Sequence, residues 1–261
     1  MAETAIHPSA IVEPGAVLGN GVRIGPFCHV GPQVRLGDRV ELKSHVVVAG
    51  DTEIGAETVV FPFACIGEVP QDLKFQGERT RLVIGARNRI REYVTMNPGT
   101  AGGGGLTQIG DDGLFMACSH VAHDCRIGNR VILVNSVAVA GHCVLEDEVI
   151  VGGLSGVHQF VRIGRGAMIG ALTMVTADVL PHALVSGPRG QMEGLNLVGL
   201  KRRGAGRAEI AALRELLALL GAGSFRETAR QQSEGEVTPM EREVLDFILG
   251  PSERSFLRPQ G

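Results

Sequence analysis

Four histidines, His120, His123, His142 and His158, stand in one stretch of the chain. An imidazole is the side chain best suited to take a proton near neutral pH, and it is the commonest metal ligand. His123 is followed by Asp124, and 18 residues further on Gly141 is followed by His142. An imidazole that removes a hydroxyl proton and a glycine amide that receives negative charge on a carbonyl oxygen are the two parts an acyl transfer needs. Asp124 could orient the neighbouring ring or support its charged form. The same residues also read as a zinc site held between subunits by three histidines, or as plain surface histidines. On spacing alone the three readings stand level.

The elements that must position these residues follow from a period. Eleven aliphatic residues recur every six positions from Ile6 to Ile66, among them Val12, Leu18, Ile24 and Val30. A small or β-branched residue stands two places before each. Six is no multiple of the helical 3.6, so amphipathic helix is excluded, and a fixed hexapeptide period predicts a parallel β-helix. Three hexads make one turn of a triangular coil. Residues 18 apart therefore stack, about 4.8 Å from one another. The series keeps phase through Ile84, Ile90 and Met96, resumes one residue out of register at Ile109, and runs on to Ile169. The inward positions in the second half are 119 and 121, 125 and 127, 137 and 139, 143 and 145, and 155 and 157. None of the four histidines holds one, so they point outward or sit at corners.

Two stretches, 68–81 and 97–107, lack the inward pair and are polar or Gly-rich, which predicts loops on the solenoid. The hexad ends near Val185. Residues 205–249 then carry Ile210, Leu213, Leu217 and Leu220 at helical spacing, and Val244, Leu245, Phe247 and Ile248 follow Pro239. The chain thus divides into a β-helix over 1–187 and a C-terminal linker and helical domain over 188–261. Net charge is −3, which argues against general nucleic-acid binding. No segment has the length of an apolar membrane span and no signal pattern opens the chain, so a cytoplasmic protein is expected. Of five cysteines, Cys28, Cys65, Cys125 and Cys143 are assigned to the small inward register as reduced core residues, and only Cys118 lies outside it.

The hexads together with His120-Val121-Ala122-His123-Asp124-Cys125, Ala140-Gly141-His142, Val157-His158-Gln159-Phe160 and Gly199-Leu200-Lys201-Arg202-Arg203-Gly204 resemble the UDP-N-acetylglucosamine 3-O-acyltransferases. These enzymes catalyse the first step of lipid A synthesis in Gram-negative bacteria. The resemblance covers essentially the whole chain. It implies a left-handed β-helix assembled as a homotrimer, with active sites in clefts between subunits and no cofactor or metal. The donor would be a (R)-3-hydroxyacyl chain on acyl carrier protein and the acceptor UDP-N-acetylglucosamine. By match to the family, His123 is the general base, Gly141 the oxyanion donor, and His120, His142 and Gln159 line the cleft. Gln71, Asp72 and Lys74 match the substrate-contacting loop, and Asn196, Arg202 and Arg203 the nucleotide end, where guanidinium groups suit a diphosphate.

The chain departs from the family at three points. Asn97 replaces a cleft histidine, Val198 replaces a nucleotide-contacting acidic residue, and Ala171 stands at the position assigned to acyl length, where glycine serves longer chains. A methyl group at Ala171 predicts a shorter donor. Arg162, Arg165 and Arg189 are candidate docking residues for the acidic carrier protein. Two other enzymes share features with this pattern: the N-acyltransferase of the same pathway, which carries an extra N-terminal domain, and the γ-type carbonic anhydrases, which need three zinc-binding histidines.

Overall fold

A computed structural model describes residues 3–258. The hexad sets its walls. Each large aliphatic residue ends a short strand, typically of two residues, and the strands stack into three sheets of eleven, nine and eight members, parallel except for the last strand of the first. The first sheet holds Ala5–Ile6, Arg23–Ile24 and Glu41–Leu42, the second Ile11–Val12 and His29–Val30, the third Val17–Leu18 and Arg35–Leu36. Ala5 pairs with Arg23, and Arg23 with Glu41, so the 18-residue step is the coil. The two insertions stretch it: Cys65 pairs with Thr95, and Thr95 with His120. Both inward residues of a hexad are sealed, as at Val22 with Ile24 and Val149 with Val151. Burying each such aliphatic stabilises the coil by about 1.5–3 kcal/mol. Ile6, in the terminal coil, stays half exposed. The result is the expected left-handed parallel β-helix.

One cysteine assignment fails. Cys28, Cys125 and Cys143 are buried, but Cys65 directly precedes Ile66 in its strand and lies on the outward row, while Ala64 fills the small inward site. A slip of one residue moves a side chain to the opposite face of a strand.

Two features of the turns matter for the site. The residue two places after each large aliphatic has its N–H outside the backbone ladder, and proline occupies it at Pro8, Pro26 and Pro62. The next residue turns the corner in the left-handed region, with φ of 65° at Phe63, 59° at Asp124 and 63° at His142. Successive corners therefore form columns. Along the first, Phe27, His45, Phe63 and Tyr93 stack ring on ring at 4.9–5.1 Å. Along the third, charges alternate: Arg39 pairs with Glu57, Arg87 with Asp112 at 2.7 Å, and Arg130 with Glu148 at 2.7 Å.

The strands continue past 187, through a hairpin of Ala183–Ser186 with Gln191–Leu195. Helices α1 (Leu197–Arg202), α2 (Arg207–Ala222), α3 (Phe225–Ser233) and α4 (Pro239–Leu249) follow. The two apolar stripes read from the sequence are buried. Thr238 caps α4 and Glu241 reciprocates, with Pro239 in the first turn. Glu243 on α4 holds His182 at 2.9 Å and Arg165 at 3.0 Å, which ties the helices to the last coil. No described helix is long and apolar enough to cross a membrane.

Candidate active site at the second corner

Both insertions leave the solenoid at its second corner, after Ile66 and after Met96, and fold over the column in which Asp124, His142 and Phe160 stand one coil apart. The loops hold Asp124. Thr100 donates its N–H at 2.8 Å and its hydroxyl at 2.6 Å to the carboxylate, and Thr107 accepts from the Asp124 N–H at 2.8 Å. Gly103 passes so close that a Cβ there would meet the carboxylate at 1.9 Å. With its side chain only 1% exposed, the carboxylate needs these donors to offset its lost hydration.

Its remaining partner is His123. Nδ1 of the ring donates to Asp124 Oδ2 at 2.8 Å, which leaves the lone pair on Nε2 as the basic atom. Nε2 faces Asp72 Oδ2 at 3.9 Å, beyond a hydrogen bond. Gly141 lies directly over the ring: a Cβ would stand 2.5 Å from Cε1 and 2.7 Å from Nε2. Its N–H occupies the turn position outside the ladder and bonds to nothing among the described residues. His142 meets His123 edge-on at 5.0 Å and stacks flat on Phe160 at 4.4 Å. Burial pushes the pKa of His142 down, against an opposing pull from Asp124. Burial, then repulsion from His123, lowers that of His120, whose Nδ1 bonds Thr95 Oγ1 at 2.7 Å.

A cavity lies on either side of the pair, one lined by Asp124 and the other by His123. A polar one of about 570 Å³ includes Asp72, Lys74, Thr100, Arg126 and His142 in its walls. A more apolar one of about 420 Å³ runs along the outer row of the second sheet, over His120, Ala138, Gly156 and Met174, with Gln71, Gly141 and Gln159 at its sides. The expected loop residues thus divide, Asp72 and Lys74 to one cavity and Gln71 to the other. Within one chain, no set of three histidines comes together among the described residues. His123, Asp124 and His142 do place donor atoms within 4.8 Å of one another. Asp124, however, is already engaged by Thr100 and His123.

Other expected residues land elsewhere. Asn196, Arg202 and Arg203 lie at a third cavity on the first sheet, beside the third corner, and one chain does not bring them to His123. Asn196 caps α1, accepting from Gly199 N–H at 2.9 Å and donating to Gly166 O at 3.1 Å. Arg203 is pinned between His182 at 3.1 Å and Glu148 at 3.5 Å, which leaves Arg202 as the exposed cation of the three. Val198 is exposed in the wall of the same cavity. Asn97 ties the two loops together, donating to the carbonyls of Glu68 at 3.0 Å and Val69 at 3.3 Å. Arg162 is committed to buried Asp178, Arg165 is partly exposed and paired with Glu243, and Arg189 is exposed with no ion pair among the described residues. Ala171 sits exposed in a first-corner turn and does not line the groove. Met174 does: its thioether lies 2.9–3.2 Å from where a Gly156 Cβ would stand. Sequence reasoning missed Met174 and Phe160, although both fall on 18-residue columns, and it missed Thr100 and Gly103, which no period marks.

Comparison with known proteins shows the family. Residues 178–257 match a family described as UDP N-acetylglucosamine O-acyltransferase, domain 2, and residues 15–50 the bacterial transferase hexapeptide family. The acyl-[acyl-carrier-protein]–UDP-N-acetylglucosamine O-acyltransferase of Paracoccus denitrificans is 79% identical over 259 residues, 99% of both chains. That of Agrobacterium fabrum is 46% identical over 99% of this chain and 97% of its own. The solved UDP-N-acetylglucosamine acyltransferase of Campylobacter jejuni superposes with a TM-score of 0.92 at 38% identity, covering 98% of this chain and all of that one (100%). With relatives this similar end to end, the chain belongs to the acyl-[acyl-carrier-protein]–UDP-N-acetylglucosamine O-acyltransferase family.

Proposed function

We propose that this protein transfers a (R)-3-hydroxyacyl chain from acyl carrier protein to the 3-hydroxyl of UDP-N-acetylglucosamine, the first step of lipid A biosynthesis. The observation that carries the reading is the buried Asp124–His123 pair, with a Gly141 amide that bonds to nothing among the described residues stacked over it, Asp124 lining a polar cavity and His123 a more apolar one. His123 Nε2 takes the proton of the sugar hydroxyl as that oxygen attacks the thioester carbonyl. Negative charge moves to the carbonyl oxygen, where the Gly141 N–H meets it. Collapse breaks the C–S bond, and the imidazolium, supported by Asp124, returns the proton to the departing thiolate. A direct attack fits the thiols: Cys28, Cys125 and Cys143 are sealed in the core, Cys118 stands at another corner, and Cys65 lies two coils from His120 on the outward row and lines neither cavity.

The sugar nucleotide fits the polar cavity, with Lys74 and His142 at hand, and the acyl chain fits the groove over Ala138 and Gly156. Met174 closes that groove, so the short donor first expected from Ala171 is assigned to Met174 instead. The active assembly we propose is a homotrimer in the cytoplasm, in which a neighbouring copy brings Arg202 toward the nucleotide and Arg189 steers the carrier protein. The test is direct: purified protein, UDP-N-acetylglucosamine and a series of 3-hydroxyacyl carrier proteins, with ester formation followed by mass. Absence of the 3-O-acyl product with every donor refutes the reading, and light scattering that returns a monomer refutes the assembly.

A further inference from the structure

We infer that the C-terminal tail braces one side of the acyl groove from behind and that Arg254 is a positioning residue for His158 and Gln159, which line it; the inference rests on the transferase reading. After α4 ends at Gly250, the chain turns back across the solenoid to the second corner. Asp178 anchors it there. Its N–H donates to Ser255 O at 2.7 Å, its carbonyl accepts from Leu257 N–H at 2.8 Å, and its carboxylate accepts from the Ser252 hydroxyl at 2.7 Å. The same carboxylate, fully buried, accepts from Arg162 N–H at 2.8 Å and Nε at 2.7 Å, and the Arg162 guanidinium lies 4.3 Å over the Phe247 ring of α4. The anchor is therefore rigid and independent of the groove.

Between these clamps the tail delivers two charged residues to the site. Glu253 enters the polar cavity beside Lys74 and His142. Arg254 reaches the groove side, where Nη2 donates to His158 Nδ1 at 2.8 Å and Nε donates to Gln159 O at 2.9 Å. A guanidinium only donates, so His158 Nδ1 must present its lone pair and the ring proton sits on Nε2. Both His158 and Gln159 line the acyl groove, and the next residue, Phe160, carries the ring on which His142 stacks. Arg254 thus holds the side of the groove in register with the catalytic corner without touching the reacting atoms.

The experiment uses the full chain with R254A, R254K and H158A, singly and combined. Loss of a charge-assisted pair predicts a donor KM about tenfold higher in R254A, with the acceptor KM within about twofold of wild type. Lysine cannot span both acceptors, so R254K should rescue only in part. If Arg254 acts through His158, R254A adds little to H158A. Should R254A fold poorly, R254K at an unchanged melting temperature carries the test. Independently of turnover, ¹⁵N shifts of labelled histidine should show an unprotonated His158 Nδ1 in wild type and not in R254A. An unchanged donor KM, additive losses, or a His158 signal indifferent to Arg254 would each overturn the inference. A wild type that forms no ester sinks the transferase reading instead, and the ¹⁵N comparison still decides the tail contact.

Discussion

Replacing Gly141 with alanine tests the centre of the proposed mechanism. The added Cβ would stand 2.5 Å from His123 Cε1, 2.7 Å from Nε2 and 3.1 Å from Nδ1. Relief to an ordinary carbon contact of about 3.5 Å requires roughly 1 Å of movement. The ring has little room to give. Nδ1 is bonded to Asp124 at 2.8 Å, the His123 carbonyl accepts from His142 N–H at 3.0 Å, and the His142 ring blocks one edge. A displacement of 1 Å at a reacting group costs on the order of 10²-fold, so kcat should fall about 10²-fold. Folding should survive, because φ at 141 lies outside the left-handed region and overpacking costs about 1–3 kcal/mol. Alanine keeps the N–H. Proline removes it, and the coil accepts proline at this turn position at Pro8, Pro26 and Pro62. G141P should therefore lose a further 10²–10³-fold or so, the typical cost of one oxyanion donor. Steady-state turnover with melting temperature and light scattering as controls decides both. A folded G141A with near-normal kcat refutes the placement of the base, and equal losses in the two variants refute the amide as oxyanion donor.

Three further outcomes are expected. His123→Ala should lower kcat by about 10²–10⁴-fold while fold and assembly persist; normal turnover in a folded variant removes it as base. Met174→Gly should open the groove by about one coil step of 4.8 Å and shift the optimum to longer donors, each added methylene contributing about 0.8 kcal/mol, whereas Ala171→Gly should leave the optimum unchanged; the reverse pattern across a donor series returns the ruler to Ala171. The pKa values of His120, His142 and His182 are all lowered, chiefly by burial. The unfolded chain therefore binds protons that the folded one refuses, and stability should drop as pH falls below about 6.5, levelling once the folded values are passed. Urea titrations from pH 7.5 to 5.5 check this, and a flat or rising midpoint contradicts it.

The β-helix was legible because its period is imposed by packing: a small and a large inward residue per hexad leave one register. From that register the stacking of Gly141 over His123 and of His142 over Asp124 can be counted, and so can Phe160 and Met174. Ala171 belongs to a turn, while the groove we propose for the acyl chain follows the outward strand row of His120, Ala138, Gly156 and Met174. Cys65 misled by one position. Thr100 and Gly103 were not legible, since loops break the period that places everything else. Nor was Arg254, whose contact with His158 joins residues 96 apart through a helical domain that has no register with the coil.

The aromatic column at the first corner makes the molecule nearly dark except at one point. The chain has no tryptophan and a single tyrosine, Tyr93, which stacks on Phe63 at 5.1 Å and 9°. Ultraviolet emission above the phenylalanine band therefore reports on one middle coil. Solenoid repeats contact only their neighbours and can open from either end. Tyrosine emission and far-ultraviolet circular dichroism should consequently part company during a melt if the ends fray first, and coincide if the coil fails as one. The same darkness is an opportunity at the other end of the prism. A tryptophan at Met174 would shine against an almost empty background from inside the groove, where it would report the acyl chain we propose to bind there.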